Sequence, residues 1–220
     1  MKLYKYKSLE NLWYVLDMVV NQRLYCAHWK ELNDPLEGRY ELSLGSKSQK
    51  TEVTMASRIE NARDAYRIAS LTADPTNFLM WSHYANGHKG IVIEVDVDER
   101  EELYKVIYSP FSSVFTDKLQ TKEDMRHLFN GKSEEWKYEE EYRIITESKF
   151  FPLIRPVSKI LLGPMVDENL SNILKNILPK SVEVINMQLD RRQGTLVVNS
   201  PNKTIQPTAT PLHFVASAED

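Results

Sequence analysis

Apolar and polar residues follow two different periods in the first 28 residues. Residues 3–7 (Leu-Tyr-Lys-Tyr-Lys) alternate with a period of two, which is typical of a β-strand. Ser8 stands where an N-cap residue is expected, and the apolar positions of residues 9–20 recur at helical spacing. Residues 23–28 then indicate a second strand. The chain is therefore predicted to open with a strand, a helix and a strand.

The middle of the chain predicts helices between apolar strands. Residues 52–66 form an amphipathic helical pattern, and residues 68–72 and 91–95 are typical of strands. Residues 91–95 (Ile-Val-Ile-Glu-Val) are the clearest strand of the chain, because β-branched residues dominate them. A short helix is expected at residues 78–84, and the glycines within residues 87–90 end it.

The later residues add short strands with little room between them. Several pairs of strands are separated by too few residues for a crossover helix, which favours a largely antiparallel or mixed sheet. The prediction is an α+β fold, a mixed sheet with packed helices, in one domain over residues 1–198. Residues 199–220 hold three prolines and no period, so they are expected to form a C-terminal tail or surface arm. Further strands are predicted at residues 105–108, 141–145, 159–162, 182–185 and 195–198, and further helices at 122–130 and 168–178.

Composition excludes several classes of protein. The net charge is −3, with 28 basic and 31 acidic residues, so the overall field does not attract a polyanion, although a nucleic acid remains acceptable as a local substrate. The seven glycines form neither a G-x-G-x-x-G nor a G-x-x-x-x-G-K-[ST] loop, the usual phosphate-binding loops. The five histidines lack metal-ligand spacing, so no metal site is expected.

The same residues predict a cytoplasmic protein. Cys26 is the single cysteine, so no internal disulfide forms and a reducing compartment is expected. Residues 1–7 lack the continuous apolar run of a secretory signal, and no stretch approaches the ~20 apolar residues of a membrane span. No membrane association is therefore expected. The oligomeric state stays open.

Two segments in the first 40 residues are candidates for a binding site. Lys5 and Tyr6 are adjacent on the opening strand and point to opposite faces, so only one of them can face a cleft. An ordinary edge strand is the alternative interpretation. Asn33 and Asp34 precede a proline in a strong turn sequence, and with Glu37 they are expected to line the rim of a pocket. A purely structural turn is the alternative.

Two later segments carry aromatic and acidic side chains. Trp81 and Tyr84 lie three residues apart on the helix that follows the strand bearing Ser70; rings at this spacing are usually core, but they also suit a stacked nicotinamide or base. Within residues 136–143, strand spacing places Glu139, Glu141 and Arg143 on one face, with the carboxylates about 7 Å apart. Such proximity pushes the two pKa values apart. A solvated acidic edge strand is the alternative.

Four stretches of the chain, which together span residues 3–143, form a joint pattern. The stretches are Leu-Tyr-Lys-Tyr-Lys-Ser at 3–8 with Asn11-Leu12, Leu-Asn-Asp-Pro-Leu-Glu at 32–37, Met-Trp-Ser-His-Tyr at 80–84 with Gly90, and Trp136 with Glu139-x-Glu141-x-Arg143. Ile-Leu-Leu-Gly-Pro at residues 160–164 extends the pattern. Together these stretches resemble a family found in bacteria and phages, domain-of-unknown-function family 2971.

The order of these parts also resembles, more loosely, that of the ADP-ribosyltransferases. That resemblance implies a split sheet, NAD as the nucleotide, and a protein or nucleic acid acceptor in a toxin or phage-conflict system. It implies Glu141 as the catalytic carboxylate with Glu139 activating the acceptor and Arg143 beside them. The same resemblance implies that NAD is bound by Lys5, Tyr6, Ser70, Trp81 and Tyr84. The turn residues Asn33, Asp34 and Glu37 are the candidates for substrate binding.

The sequence departs from that family at the first strand. Many transferases have His or Arg there, whereas this chain has Lys5 and Tyr6. Two other classes therefore stay open. One is a non-catalytic module that binds a nucleotide or a peptide. The other is a metal-dependent nucleic acid hydrolase that uses Asp34, Glu37 and the two later glutamates.

Overall fold

The computed structural model of the chain describes residues 1–38, 49–98, 102–109 and 126–198. Four helices are described: α1 (Leu12–Asn21), α2 (Gln49–Ala65), α3 (Phe78–Tyr84) and α4 (Glu168–Ile177). Short 3-10 helices cover Trp29–Glu31, His127–Phe129 and Glu134–Glu139. No helix within the described ranges has the length and apolarity to cross a membrane.

The strands are short, and most belong to one sheet. They are β1 (Lys2–Lys7), β2 (Arg23–Tyr25), β3 (Ala27–His28), β4 (Arg67–Thr72), β5 (Ile91–Asp96), β6 (Leu103–Lys105), β7 (Ile107–Tyr108), β8 (Gly131–Lys132), β9 (Glu141–Thr146), β10 (Phe150–Pro152), β11 (Lys159–Leu162), β12 (Glu183–Asp190) and β13 (Thr195–Val198).

The sheet confirms the predicted α+β class. Its strand order is β13-β12-β11-β5-β1-β4-β9-β6, with β3 pairing beside β4. Every neighbouring pair in this sheet is antiparallel except β11 and β12, which run parallel. Helix α4 lies between these two strands along the chain. Helix α4 has the length that a parallel crossover needs. Two small sheets pair β10 with β2 and β7 with β8.

The central strand β5 explains why residues 91–95 are so apolar. Ile91, Ile93 and Val95 belong to a core cluster that also contains residues of α1 and α4, whereas Val92 belongs to a second cluster with Trp81 of α3. Because successive side chains of a strand point to opposite faces, a strand covered on both faces loses the alternation of polar and apolar residues.

The sheet opens between β1 and β4. Strand β1 pairs with β5 at every residue from Lys2 to Lys7, but it meets β4 only where Tyr4 faces Thr72. Farther along β4, its free edge is taken instead by β3, at the pair Ala27 and Ile68. The two central strands therefore diverge after Tyr4, and a gap forms between them.

Several predicted elements differ in detail. The strand predicted at 105–108 is broken at Val106 into β6 and β7, and residues 136–140 lie largely in a 3-10 helix instead of a strand. Strand β10 was not predicted. The helix predicted at 122–130 falls partly outside the described residues, and its described part is the 3-10 helix His127–Phe129. The predicted tail at 199–220 also lies outside them.

We expect Gly90→Ala to destabilise the fold by about 3 kcal/mol. A Cβ at Gly90 would lie 2.3 Å from the carbonyl oxygen of Lys7, at the end of β1, and 2.8 Å from the backbone of Ala85, at the end of α3, so both backbone segments would have to shift. Gly87→Ala is the control, because its Cβ would meet nothing and only its left-handed φ of +59° opposes it, at about 1 kcal/mol. Urea unfolding measures the free energy of unfolding of both variants. Equal decreases for Gly90→Ala and Gly87→Ala would contradict the prediction.

Candidate functional site

A cavity of about 280 Å³ occupies the gap between β1 and β4. Both diverging strands line it. The rest of the lining comes from β3 and the segment after it, from α3, and from the segment that carries Glu139, before β9, and Glu141, at the start of β9. The lining residues are Tyr4, Lys5, Tyr6, Ala27, Glu31, Leu32, Asn33, Ser70, Leu71, Met80, Tyr84, Lys132, Glu139 and Glu141. The structure therefore brings together most of the site residues that the sequence predicts. Both Lys5 and Tyr6 contribute to the lining, so the expectation that only one of them can face a cleft is wrong.

Lys5 spans the gap itself. It follows Tyr4, the last residue of β1 that is in register with β4, and its Nζ donates a hydrogen bond to the Ser70 carbonyl oxygen at 2.7 Å. The side chain thus makes a contact across the opening that the backbone ladder no longer makes. Burial and, after it, the charge of Lys7 lower the pKa of Lys5, whereas Glu141 and Glu139 act in the opposite direction, and the net result is a pKa of about 7.

Glu139 and Glu141 meet in the cavity, although they do not share a strand. Glu139 ends a 3-10 helix, Glu140 takes the left-handed conformation with φ 44° and ψ 48°, and β9 begins at Glu141. The predicted strand face of the two carboxylates is therefore wrong as secondary structure. They still converge, because Lys132 Nζ donates to Glu139 Oε2 at 2.5 Å and to Glu141 Oε2 at 3.2 Å.

Arg143 lies directly behind the cavity and does not line it. It is 1% exposed, and its Nε and Nη2 donate to the two oxygens of Glu141, both at 2.9 Å. Its Nη1 and Nη2 donate to the two oxygens of Glu37 at 2.7 Å and 2.5 Å, and Nη1 also donates to the Phe129 carbonyl oxygen. All five N–H groups of the guanidinium are thus satisfied by buried acceptors.

The surroundings push the pKa values of the carboxyl groups in opposite directions. Burial opposes ionisation of Glu141, but the charge and hydrogen bonds of Arg143, together with Lys132, outweigh it and hold the pKa at about 2. Burial raises the pKa of Glu139 in spite of Lys132 and Tyr84, and it also raises the pKa of Glu37. The site therefore holds a firmly ionised carboxylate beside one that protonates more readily.

Tyr84 and Asn33 continue this chain of polar contacts to the cavity wall. The Tyr84 hydroxyl donates to Glu139 Oε1 and accepts a hydrogen bond from Asn33 Nδ2 at 2.6 Å. Burial and the contact with Glu139 both raise the pKa of Tyr84, so its hydroxyl stays protonated. One wall of the cavity is thus built from an amide and a phenol with fixed hydrogen bonds.

Trp81 does not present its ring to the cavity. It is fully buried, its Nε1 donates to the Pro75 carbonyl oxygen at 2.8 Å, and it packs edge-on against Tyr6 and parallel to His88. The structure thus places Trp81 in the core, which is the more common fate of an aromatic residue at helical spacing. Tyr84, on the next turn, is the ring of this pair that lines the cavity.

Of the three turn residues Asn33, Asp34 and Glu37, one lines the cavity and two do not. Asn33 lines the cavity, whereas the Asp34 Oδ1 accepts from the Leu36 backbone N–H at 2.9 Å and stabilises the turn. Glu37 is buried against Arg143 and does not line the cavity. Asp34 and Glu37 are therefore placed away from the pocket rim, and Glu37 instead anchors its segment to β9.

Lys132 is the main residue that sequence reasoning missed. It is 3% exposed and sits on β8, in the tripeptide Gly131-Lys132-Ser133. A lone lysine after a glycine carries no spacing signal toward Glu139 or Glu141. The excess of glutamates over arginines in residues 136–143 was the available clue, since buried carboxylates require cationic partners.

Metal binding finds little support in this arrangement. Glu37, Glu139 and Glu141 are already paired with Lys132 and Arg143, which occupy the positions where a cation would be bound. Across the described residues, no group of three or more His, Cys, Asp or Glu side chains has the geometry of a metal site.

A comparison with protein families gives one match. Residues 80–144 match the family described as "Protein of unknown function (DUF2971)". The matched segment contains residues 80–84 of α3, Lys132 and the three residues Glu139, Glu141 and Arg143, so it supports the resemblance for this part of the chain. Neither the search of curated proteins nor that of solved structures returned a match.

We expect Arg143→Met to destabilise the protein by about 3–5 kcal/mol, because it leaves Glu37 and Glu141 buried without their partner. Arg155→Met is the matched control, since Arg155 forms an exposed ion pair with Asp96 and its loss should change the stability by less than about 1 kcal/mol. Guanidinium unfolding curves measure both. If Arg143→Met lowered the free energy of unfolding as little as Arg155→Met does, the buried ion cluster would not be essential for the stability of the fold.

We expect the stability of the wild type to depend on Lys5 above neutral pH. The pKa of Lys5 is about 7 in the folded chain against an ordinary 10.5, so the unfolded chain binds more protons between these values. The free energy of unfolding should therefore rise with pH in this window, by up to about 1.4 kcal/mol per pH unit, relative to Lys5→Met. Urea unfolding at intervals between about pH 6 and about pH 10 measures it. Lys30→Met, which removes an exposed lysine, is the control. If the difference in free energy of unfolding between the wild type and this variant changed with pH in the same way, the assignment to Lys5 would be wrong.

Proposed function

We propose that this chain is an ADP-ribosyltransferase-like enzyme that uses NAD to modify a protein or nucleic acid acceptor, as in toxin and phage-conflict systems. One observation carries the proposal. The segments that resemble the first strand, the serine strand and the glutamate strand of that family are the neighbours β1, β4 and β9, and Lys5, Ser70 and Glu141 line one cavity at their junction.

The electrostatics of the cavity suit cleavage of a glycosidic bond. Glu141 stays ionised over the whole physiological range and faces the cavity, where a negative charge stabilises an oxocarbenium-like transition state. Glu139, whose pKa is raised, is the group suited to exchange a proton with an acceptor hydroxyl or amine. Two carboxyl groups with separated pKa values are the usual basis of such a division of roles.

The charge balance also favours a cationic ligand. The buried cluster holds three glutamates, Glu37, Glu139 and Glu141, against two cations, Lys132 and Arg143. With all five groups ionised, one negative charge is uncompensated, and the positively charged nicotinamide ring of NAD would offset it. Tyr84 and Tyr4, which line the cavity, take the place that the sequence assigned to Trp81 as ring platform.

The size of the cavity limits what it encloses. At about 280 Å³ it lies just below the range of about 300–1,000 Å³ typical of small-molecule sites. It is therefore suited to the nicotinamide and its ribose, with the diphosphate and adenosine extending from the opening. In this arrangement Lys5 and Ser70 contact the enclosed end of NAD, and Asn33 lies at the wall from which an acceptor would approach.

A release assay tests this function. Purified protein is incubated with NAD and a cell lysate that supplies acceptors, and free nicotinamide and label transferred from the adenylate part are quantified. We expect wild-type protein to release nicotinamide and Glu141→Gln to lower the rate by at least about 100-fold, because the developing positive charge loses its counter-charge. Glu139→Gln should lower the transfer to acceptor more than the release.

Two controls keep the assay decisive. Tyr84→Phe removes only the hydroxyl that contacts Glu139, whereas Tyr14→Phe makes the same change at an exposed tyrosine of α1 outside the cavity and should leave the rate unchanged. Thermal melts establish that each variant is folded. Folded wild-type protein that neither consumes NAD nor gains thermal stability from it would refute the proposal, and NAD binding without turnover would indicate the non-catalytic binding module.

A further inference from the structure

The geometry of Lys5 fits a chemical role that needs no NAD. The side chain leaves β1 at the point where β1 and β4 separate, and its Nζ lies against the Ser70 carbonyl oxygen inside the gap. Lys5 lines a cavity that opens to solvent, so its amino group is reachable by a small ligand while it remains shielded from bulk water.

The surroundings of Lys5 favour the neutral amine. The nearby cavity wall is largely apolar, and it includes Ala27, Leu32, Leu71 and Met80. The charged and titratable groups that act on Lys5 are Lys7 on its own strand, Cys26 before β3, Glu139 and Glu141. Lys132, also in the lining, is already bound to the two glutamates. Burial together with Lys7 outweighs the carboxylates, and the pKa falls to about 7.

Groups that can move protons lie in the same cavity. Glu139 has a raised pKa and lies beside the protonated hydroxyl of Tyr84. A neutral lysine that shares a small cavity with a carboxyl group of raised pKa has the components needed to condense with a carbonyl compound.

We propose that Lys5 is the reactive amine of a carbonyl-binding site that takes small aldehydes in the cavity between β1 and β4. The Nζ lone pair adds to the carbonyl carbon, and one of the two amine hydrogens is transferred to the carbonyl oxygen to give a carbinolamine. The remaining N–H hydrogen then leaves with that hydroxyl group as water, and a C=N bond forms. No oxidant or reductant takes part, and hydrolysis reverses the step. The inference goes beyond the proposed transferase activity and does not depend on it.

Reductive trapping tests the site on the wild-type chain. Propanal and sodium cyanoborohydride are added near pH 7, and tandem mass spectrometry that resolves Lys5 from Met1 and Lys2 measures propyl labelling. An amine of pKa about 7 is about half neutral at this pH, whereas an amine of ordinary lysine pKa is neutral to less than about one part in a thousand. We expect Lys5 to be labelled at least about tenfold faster than exposed Lys30, allowing for restricted access.

The controls separate this site from general reactivity. Urea at a concentration that unfolds the chain should abolish the preference for Lys5, and Lys5→Met should remove its label while Lys30 is still modified. Labelling of Lys5 no faster than that of Lys30 in the folded wild type would overturn the proposal. Because no step uses NAD, this result and the outcome of the nicotinamide release assay are read independently.

Discussion

The buried ion cluster around Arg143 is the interaction on which the rest of the structure depends. One guanidinium binds both oxygens of Glu141 on its own strand and both oxygens of Glu37, which lies 106 residues earlier in the chain. Lys132 then joins Glu141 to Glu139. Charges are costly to bury unless they are paired and hydrogen-bonded, and here each of the five has at least one buried partner of opposite charge.

This cluster connects the fold to the cavity. Glu37 fixes the segment after β3, so that Leu32 and Asn33 form one wall of the gap between β1 and β4. Lys132 and Arg143 fix the acidic side, where Glu139 and Glu141 form another. The sheet opens because β4 exchanges one partner for another along the same edge, from β1 to β3. The ion cluster therefore stabilises the walls of the gap between β1 and β4, where backbone pairing between these two strands is missing.

The sequence predicted the elements of the fold better than their local detail. Strands with strong periodicity or β-branched residues, such as residues 91–95 and 159–162, lie where they were predicted, because burial on the sheet determines the pattern directly. Residues 136–140 were misjudged, since the spacing of Glu139, Glu141 and Arg143 is that of one strand face, whereas residues up to Glu139 form a 3-10 helix and Glu140 turns left-handed. Strand β10 was missed because only its pairing with β2 defines it.

The site was predictable only in part, and for a physical reason. Lys5, Ser70, Tyr84 and Glu141 were recognised from chemistry and order. Neighbouring strands bring Lys5, Ser70 and Glu141 together, and the end of α3 adds Tyr84. Trp81 was placed wrongly, since spacing on a helix does not tell which aromatic faces the core. Lys132 could not be found from local pattern, because a buried lysine and its carboxylates recognise each other through the fold and not through sequence distance.

The left-handed residue Glu140 has a consequence for how the two acids are held apart. A helix end and a strand start meet at this one residue, so main-chain torsions set the offset between the carboxyl groups on either side of it. Lengthening or shortening this junction by one residue would rotate Glu139 off Lys132 even if every side chain of the cavity were retained. The junction therefore has a fixed backbone conformation, and this conformation sets the distance between the two carboxyl groups.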